Sequence, residues 1–320
     1  IDRIKKYCHQ QSVAAYAATR DGTAATRDVM PNFMKEIRHI STSFLGNRIA
    51  LAEFENLVQI FDLNTLQVIS EFNSVLSYGG KRIAIDEQGE ICVCGAWQRH
   101  GICGYNSNSG ELIWQRKDLK RVQHLQNLRS NQQLLFANFE GSSSRIIDFR
   151  TGIDIDKIPN IINYYECKYQ SIDIYDRSLS IDIIDRISKK RIAKLDRKSF
   201  GTLDLTFNFD SLCISESAGP LSCYDLNNGK LKWRIYGGID GHYLRICYNE
   251  HLNMFVGITW PYANGGDKKI MYINTNTGAV ENEVNIKQPV ETEFAMDGKF
   301  LITSNRQIID IDNLIIKNWA

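Results

Sequence analysis

No apolar run in the sequence approaches the ~20 residues that a membrane-spanning helix requires, and no signal peptide is visible at its start. The chain opens on Ile1 rather than Met, which leaves an upstream leader open. An excess of one charge is also missing. With 38 Lys+Arg against 37 Asp+Glu, the formal net charge is +1. Coating nucleic acid or an anionic membrane needs a strong basic excess, so neither is expected. There is no Cys-x-x-Cys, no His-Glu-x-x-His and no Gly-rich loop with a following lysine signature. The six histidines, His9, His39, His100, His124, His242 and His251, never fall at metal-ligand spacing. The expectation is therefore no metal, no cofactor and no catalytic residue, with little provision for a small-molecule ligand.

Proline is scarce, at 5 residues, and disordered low complexity is absent. The eight cysteines are Cys8, Cys92, Cys94, Cys103, Cys167, Cys213, Cys223 and Cys247. Most lie in apolar strand-like runs, where a free thiol behaves as a small hydrophobe. Reduced, buried cysteines favour a cytoplasmic setting. The rival reading is a bridge between Cys94 and Cys103, which flank one predicted hairpin.

What the chain does contain is a repeat. It is clearest at Leu-Ser-Cys-Tyr-Asp-Leu-Asn-Asn-Gly-Lys-Leu-Lys-Trp, residues 221–233: an apolar run, a polar turn and a second run. Aligned on the residue that opens the turn, the anchors are Asp62, Asn106, Asp148, Asp185, Asp225, Asn274 and Asp310. Their separations of 44, 42, 37, 40, 49 and 36 residues scatter around the ~40–45 of a four-stranded propeller blade. Every anchor follows a large apolar residue: Phe61, Tyr105, Ile147, Ile184, Tyr224, Ile273 and Ile309. Four residues after the anchor, Gly110, Gly152, Gly229 and Gly278 suit a turn that needs positive φ; Leu66, Lys189 and Leu314 stand in the other units.

Short strands with evenly spaced turn signals, and no amphipathic helical pattern between them, predict an all-β fold. The period selects a seven-bladed β-propeller of four-stranded antiparallel blades over residues 36–320. Its units run roughly 36–73, 78–117, 122–158, 162–197, 200–235, 241–284 and 290–320. A closed ring protects the strand edges that an open stack would expose. Residues 1–35 fall outside the count and carry a direct repeat, Ala17–Asp21 and Ala24–Asp28, around Asp21-Gly22. This segment is expected to close or flank the last blade, or else to form a short helix over Gln10–Ala18.

Asn106-Ser-Asn-Ser-Gly110-Glu-Leu-Ile-Trp114 and Asp225-Leu-Asn-Asn-Gly229-Lys-Leu-Lys-Trp233 resemble the Asp-x-x-Thr-Gly-x-x-x-Trp motif of PQQ-like propeller repeats. Asp148–Gly152 and Asn274–Gly278 match its first half. The resemblance implies that Trp114 and Trp233 dock between neighbouring blades. The remaining units lack the tryptophan. WD-repeat propellers share the architecture, but the Trp-Asp dipeptide is absent and Gly241-His242 is the one Gly-His. A quinone-dependent dehydrogenase of the PQQ-like type would have eight blades, an acidic calcium site and often a haem-attachment motif; none is recognisable.

The non-repeating loops are where binding is expected. Ala96–Gly101 carries Trp97, Arg99 and His100, and Thr259–Asp267 carries Trp260 and Tyr262. Trp, Tyr and Arg are interface-anchoring types. The alternative is that Trp97 and Trp260 fold back over the blade edge. A basic rim, with Arg116, Lys120 and Arg121 and continuing to Arg197 and Lys198, would favour an acidic protein partner, or would simply be solvated. The expected function is a non-enzymatic protein-interaction scaffold. The alternatives are an immunity protein neutralising a toxin, an envelope-assembly scaffold, and an enzyme binding quinone or sugar in the channel.

Overall fold

The computed structural model describes residues 37–43, 45–53, 57–74, 82–95, 101–128, 133–159, 161–177, 180–196, 202–216, 220–236, 241–261, 268–286, 292–295 and 298–318, with a few (38, 53, 241–244, 260 and 261) described by backbone alone. The chain divides into Ile1–Lys35 and Glu36–Ala320. The first unit, and with it any role in closing the last blade, lies outside the described residues.

The second unit is a seven-bladed β-propeller. Each blade is a four-stranded antiparallel sheet in simple sequence order. The blades span 37–73, 83–116, 122–158, 163–196, 202–235, 241–286 and 292–318. Blade 5 shows the plan: Thr202–Phe207 innermost, then Ser211–Glu216, Leu221–Asp225 and, outermost, Leu231–Ile235. The described residues contain no helix.

Second and third strands are sandwiched between neighbouring blades, so both their faces are buried. Ile91–Gly95 and Ser211–Glu216 are buried at every position. This is why the sequence there reads as continuous apolar runs rather than alternation. Fourth strands, outermost in each blade, are largely exposed: Val280–Ile286 is exposed at its first four positions and Ile315–Asn318 throughout.

The core is not inside blades but between them. Seven apolar clusters are present, one at each junction. One of them packs Ile37, Ile49 and Phe61 of blade 1 against Ala295, Ile302 and Ile308 of blade 7, which closes the ring. Thr42 Oγ1 donates to the Phe294 carbonyl across the same seam at 3.3 Å. No helix among the described residues is long and apolar enough to cross a membrane.

The anchor explains itself chemically. Its side-chain oxygen accepts backbone N–H groups two or three residues on: Asp62 from Asn64 and Thr65 (2.9 and 2.7 Å), Asp148 from Arg150 and Thr151 (3.0 and 2.8 Å). Asn106, Asp185, Asp225, Asn274 and Asp310 do the same. In six blades the pairing of strands three and four slips by one residue just before the anchor. That is the bulged hairpin in which a tight turn ends on a left-handed residue. All seven residues four after the anchor are left-handed, including Leu66 (φ 61), Lys189 (φ 56) and Leu314 (φ 57).

A second series ties blade to blade. Trp114 Nε1 of blade 2 donates to the Phe149 carbonyl of blade 3 at 2.8 Å, and its indole lies against Gly152. Trp233 Nε1 of blade 5 donates to the Thr275 carbonyl of blade 6 at 2.8 Å and covers Gly278. Ser70 of blade 1 donates to the Ser107 carbonyl at 2.5 Å, and Tyr272 of blade 6 to the Ile311 carbonyl at 2.8 Å. In all four junctions the acceptor is the residue directly after the next anchor. Three side-chain types perform one task, so no motif announces it.

Candidate functional site

The antiparallel order decides which connections share an end of the ring. Turns joining strands one to two and three to four lie at one end, here the anchor end. Connections from strand two to three, and from one blade to the next, lie at the other, the loop end.

Of the expected binding residues, Trp97, Arg99, His100 and Tyr262 lie outside the described residues. So do the Arg197 and Lys198 part of the rim and the side chain of Trp260. The strand ends on either side of the 96–101 and 262–267 segments, Gly95 and Ile102 in blade 2 and Pro261 and Lys268 in blade 6, lie at the loop end. Trp260 itself is not in a loop. It belongs to the strand Met254–Pro261, paired with His242. The nine-residue partner Gly241–Asn249 is long enough to extend the ladder to Pro261, where the ladder stops and the missing N–H costs nothing.

Arg116 ends the outermost strand of blade 2 and ties two blades. Its guanidinium donates to Asp118 (2.7 Å), to the Gly152 carbonyl (2.8 Å) and to Asp154 (3.0 Å). Hydrogen bonding to Asp118 holds it firmly protonated. Lys120 and Arg121 are exposed at the loop end, with Leu119 buried behind them and Arg121 left-handed (φ 57). Cys94 and Cys103 stand opposite each other in register across strands two and three, both as free thiols. Burial pushes the Cys103 thiol up to about 11.

The ring encloses a channel of about 630 Å³ lined by the innermost strands of blades 3 to 7. Toward the loop end its wall carries Asp204 of blade 5, Arg245 of blade 6 and Glu293 of blade 7. Asp204 accepts the Ile246 N–H at 3.0 Å, and Thr206 Oγ1 the Tyr248 N–H at 3.0 Å, so blades 5 and 6 are bound along the wall. Arg245 lies 3.7 Å from Glu293. Burial, with Glu293 nearby, pushes the Asp204 carboxyl up to about 6 despite Arg245 and the Ile246 N–H.

At the anchor end the channel mouth is aromatic. Tyr169 lies 4.5 Å from Phe209 and 6.0 Å from Tyr248, ring centre to ring centre. Phe209 is 60% exposed. Lys168 Nζ sits 4.8 Å over the Tyr169 ring and 2.7 Å from Glu250. None of these residues was singled out by the sequence. They come from blades 4, 5 and 6, some forty residues apart, at positions the repeat leaves free.

No protein-family model and no curated protein matches the chain. Solved structures do. Dihydro-heme d1 dehydrogenase NirN in complex with DHE superposes with a TM-score of 0.63 at 14% identity, covering 90% of this chain and 67% of that one. BamB from Moraxella catarrhalis gives 0.58 at 12%, covering 87% and 83%. The β-propeller domain of Myceliophteria thermophila Cps50 (Swd1) gives 0.64 at 10%, covering 88% and 96%. At such identities the likeness is one of fold, and what this chain is similar to in each case is the β-propeller.

Proposed function

We propose that this propeller is a non-enzymatic scaffold that binds a protein partner of acidic surface through its loop end. The observation that carries this reading is that the strands on either side of the non-repeating connections end together at one end of the ring. The strand ends Gly95 and Ile102 of blade 2, and Pro261 and Lys268 of blade 6, lie at the same end as exposed Lys120 and Arg121. Beneath them, Arg116 braces blade 2 to blade 3. Variable loops on a braced frame are the usual arrangement of a binding face. The anchor turns with glycine, together with the two docking tryptophans, support placing these repeats with the PQQ-like propellers. The described cysteines, all free thiols, favour the cytoplasm as the compartment.

The test is affinity capture from the native host with Arg99→Ala plus Trp260→Ala, and separately Lys120→Glu plus Arg121→Glu. Each pair should lose the partner while thermal unfolding stays where it was. Capture unchanged in both pairs would sink the loop-end assignment.

A further inference from the structure

We infer that Cys213 and Cys223 form a cross-strand disulfide site in blade 5, closed by a disulfide oxidant while the chain folds and sealed once blade 6 covers it. The inference uses no loop-end residue and stands apart from the partner reading above.

Register decides which cysteines can bridge. Ser211–Glu216 pairs with Leu221–Asp225 without a slip, and Cys213 stands opposite Cys223. The Glu216 N–H donates to the Pro220 carbonyl at 3.3 Å, and the Leu226 N–H to the Asp210 carbonyl at 2.9 Å, so these two opposed pairs are hydrogen-bonded ones. Bonded and non-bonded pairs alternate along an antiparallel ladder. Counted inward from either end, Cys213–Cys223 is a non-bonded pair. That is the closer kind, with opposed Cβ atoms about 4.5 Å apart against about 5.5 Å in a bonded pair. A disulfide requires Cβ atoms about 3.5–4.5 Å apart. Cys94 and Cys103 fail on the same count. The Ser107 N–H donates to the Glu90 carbonyl, and an unbroken register from that pair makes Cys94–Cys103 a bonded one. The two cysteine pairs look alike in the sequence and differ by one step of the alternation.

Packing accounts for only half of the pair. Cys223 lies opposite Trp233, and blade 2 has Gly104 in that position opposite Trp114. The need for a small residue does not extend to Cys213, whose counterpart in blade 2 is Val93. Blade 4 fills the same two positions with Ile174 and Ile183, and blade 7 with Ile302 and Ile308.

Both thiols are fully buried, in the cluster where blade 5 meets Ile246, Tyr248, Phe255 and Ile273 of blade 6. Burial pushes the Cys223 thiol up to about 12 and the Cys213 thiol well above its ordinary range. In the closed ring neither supplies the thiolate that exchange requires. Before blade 6 docks, the same face of the blade 5 hairpin is open to solvent, so the window for oxidation is the folding of the chain. One cysteine thiolate attacks a low-molecular-weight disulfide such as glutathione disulfide and releases one glutathione thiol. The second attacks the mixed disulfide, which closes the Sγ–Sγ bond and releases the other. Two electrons pass from the cysteine pair to the sulfurs of the oxidant, and the two thiol protons end on the two glutathiones. A chain folded among reduced thiols keeps the dithiol, and one folded among disulfides keeps the bridge. The pair thereby records where folding took place.

The experiment refolds the full chain from denaturant in mixed oxidised and reduced glutathione, and in parallel in reduced glutathione alone. Remaining thiols are blocked with N-ethylmaleimide, and bridges are mapped by mass spectrometry without reduction. Cys213–Cys223 should be the main bridge of the oxidising arm and absent from the reducing one. The same oxidising buffer added after folding should close it at least about tenfold more slowly. The bridged protein should unfold about 5 °C above the dithiol, because the closed loop from 213 to 223 restricts the unfolded chain. Cys213→Ala should unfold at the same temperature from both arms. Should that variant fail to fold, the bridge map and the two wild-type midpoints decide alone. Cys94–Cys103 as the main bridge, no bridge between 213 and 223 in the folded product, equally fast closure in the folded ring, or a bridged form less stable than the dithiol overturns the inference.

Discussion

The left-handed residue four after each anchor can be weighed one position at a time. Lys189 holds φ 56 with a β-carbon, on an exposed turn. Removing that β-carbon relieves a strain of about 1–2 kcal/mol but loosens the unfolded chain. Because the Lys189 ammonium also lies 3.8 Å from the buried Asp173 carboxylate, Lys189→Gly should stabilise by no more than about 0.5 kcal/mol in denaturant titration. Two glycines separate strain from crowding. Gly141 and Gly278 both have φ 74, but an added β-carbon at Gly141 meets nothing within 4 Å, whereas at Gly278 it would come within 2.7 Å of the Trp233 ring. Gly141→Ala should cost about 1 kcal/mol and Gly278→Ala roughly 2–4 kcal/mol, because only the second also overpacks a junction. Equal losses would remove Trp233 from its role as a wedge. Asp204 gives a signed pH effect. Its folded acidity, about 6, lies above the ordinary carboxyl value, so the folded state holds a proton that the unfolded chain releases. Its contribution is fully present below about pH 4 and is lost as pH rises to about 6, on the order of 2 kcal/mol for a half-buried group. The stability difference between wild type and Asp204→Asn, followed from pH 4 to 7, should fall accordingly.

Strands and turns were the most legible elements, and the reason is local chemistry. An anchor caps its own turn within three residues, so its identity is written where it acts, and all seven anchors could be aligned without knowing the fold. The ties between blades were legible only where a tryptophan makes them. Ser70 and Tyr272 reach the same backbone acceptor from other positions, and nothing in their own neighbourhood says so. Tyr272→Phe should cost about 1–2 kcal/mol by leaving the Ile311 carbonyl without its donor, while the ring stays packed. Blade 4, the most degenerate in sequence, relies on a different device. Asp173 is buried, and Arg186 meets it at 2.6 Å while also donating to the Cys167 and Ile172 carbonyls. Arg186→Met should destabilise by about 3–5 kcal/mol, since it strands a buried carboxylate. Additional Asp173→Asn should recover much of that loss. Pro261 and Gly265-Gly266 give Thr259–Asp267 the composition of a loop, yet the long partner strand carries pairing through Trp260 to Pro261.

For the whole molecule, the period specified blade number, and closure followed once each apolar face needed a partner. The channel was not legible. Its wall is assembled from the innermost strands of five different blades, and its charged residues look like ordinary exposed positions in their own strands. The junction clusters make a prediction about the intact ring. Cys92, Cys213 and Cys223 lie within them, and burial holds the thiols of Cys213 and Cys223 well above their ordinary range. Thiol labelling mapped by mass spectrometry should reach these three no faster than the ring unfolds. Rapid labelling of Cys213 in the native protein would mean that the junctions open far more readily than their packing implies.

Placing the core between blades also bears on synthesis. While the ribosome is at work, every completed blade has one face covered by its predecessor and the other waiting for a successor not yet made. Blade 1 waits longest, since Ala295, Ile302 and Ile308, which cover Ile37 and Phe61, belong to blade 7. An apolar surface therefore stays open from the first blade's emergence until blade 7 has been made. For that interval the nascent chain is a natural client for holding chaperones, and a stop codon anywhere before blade 7 releases a product with two adhesive ends.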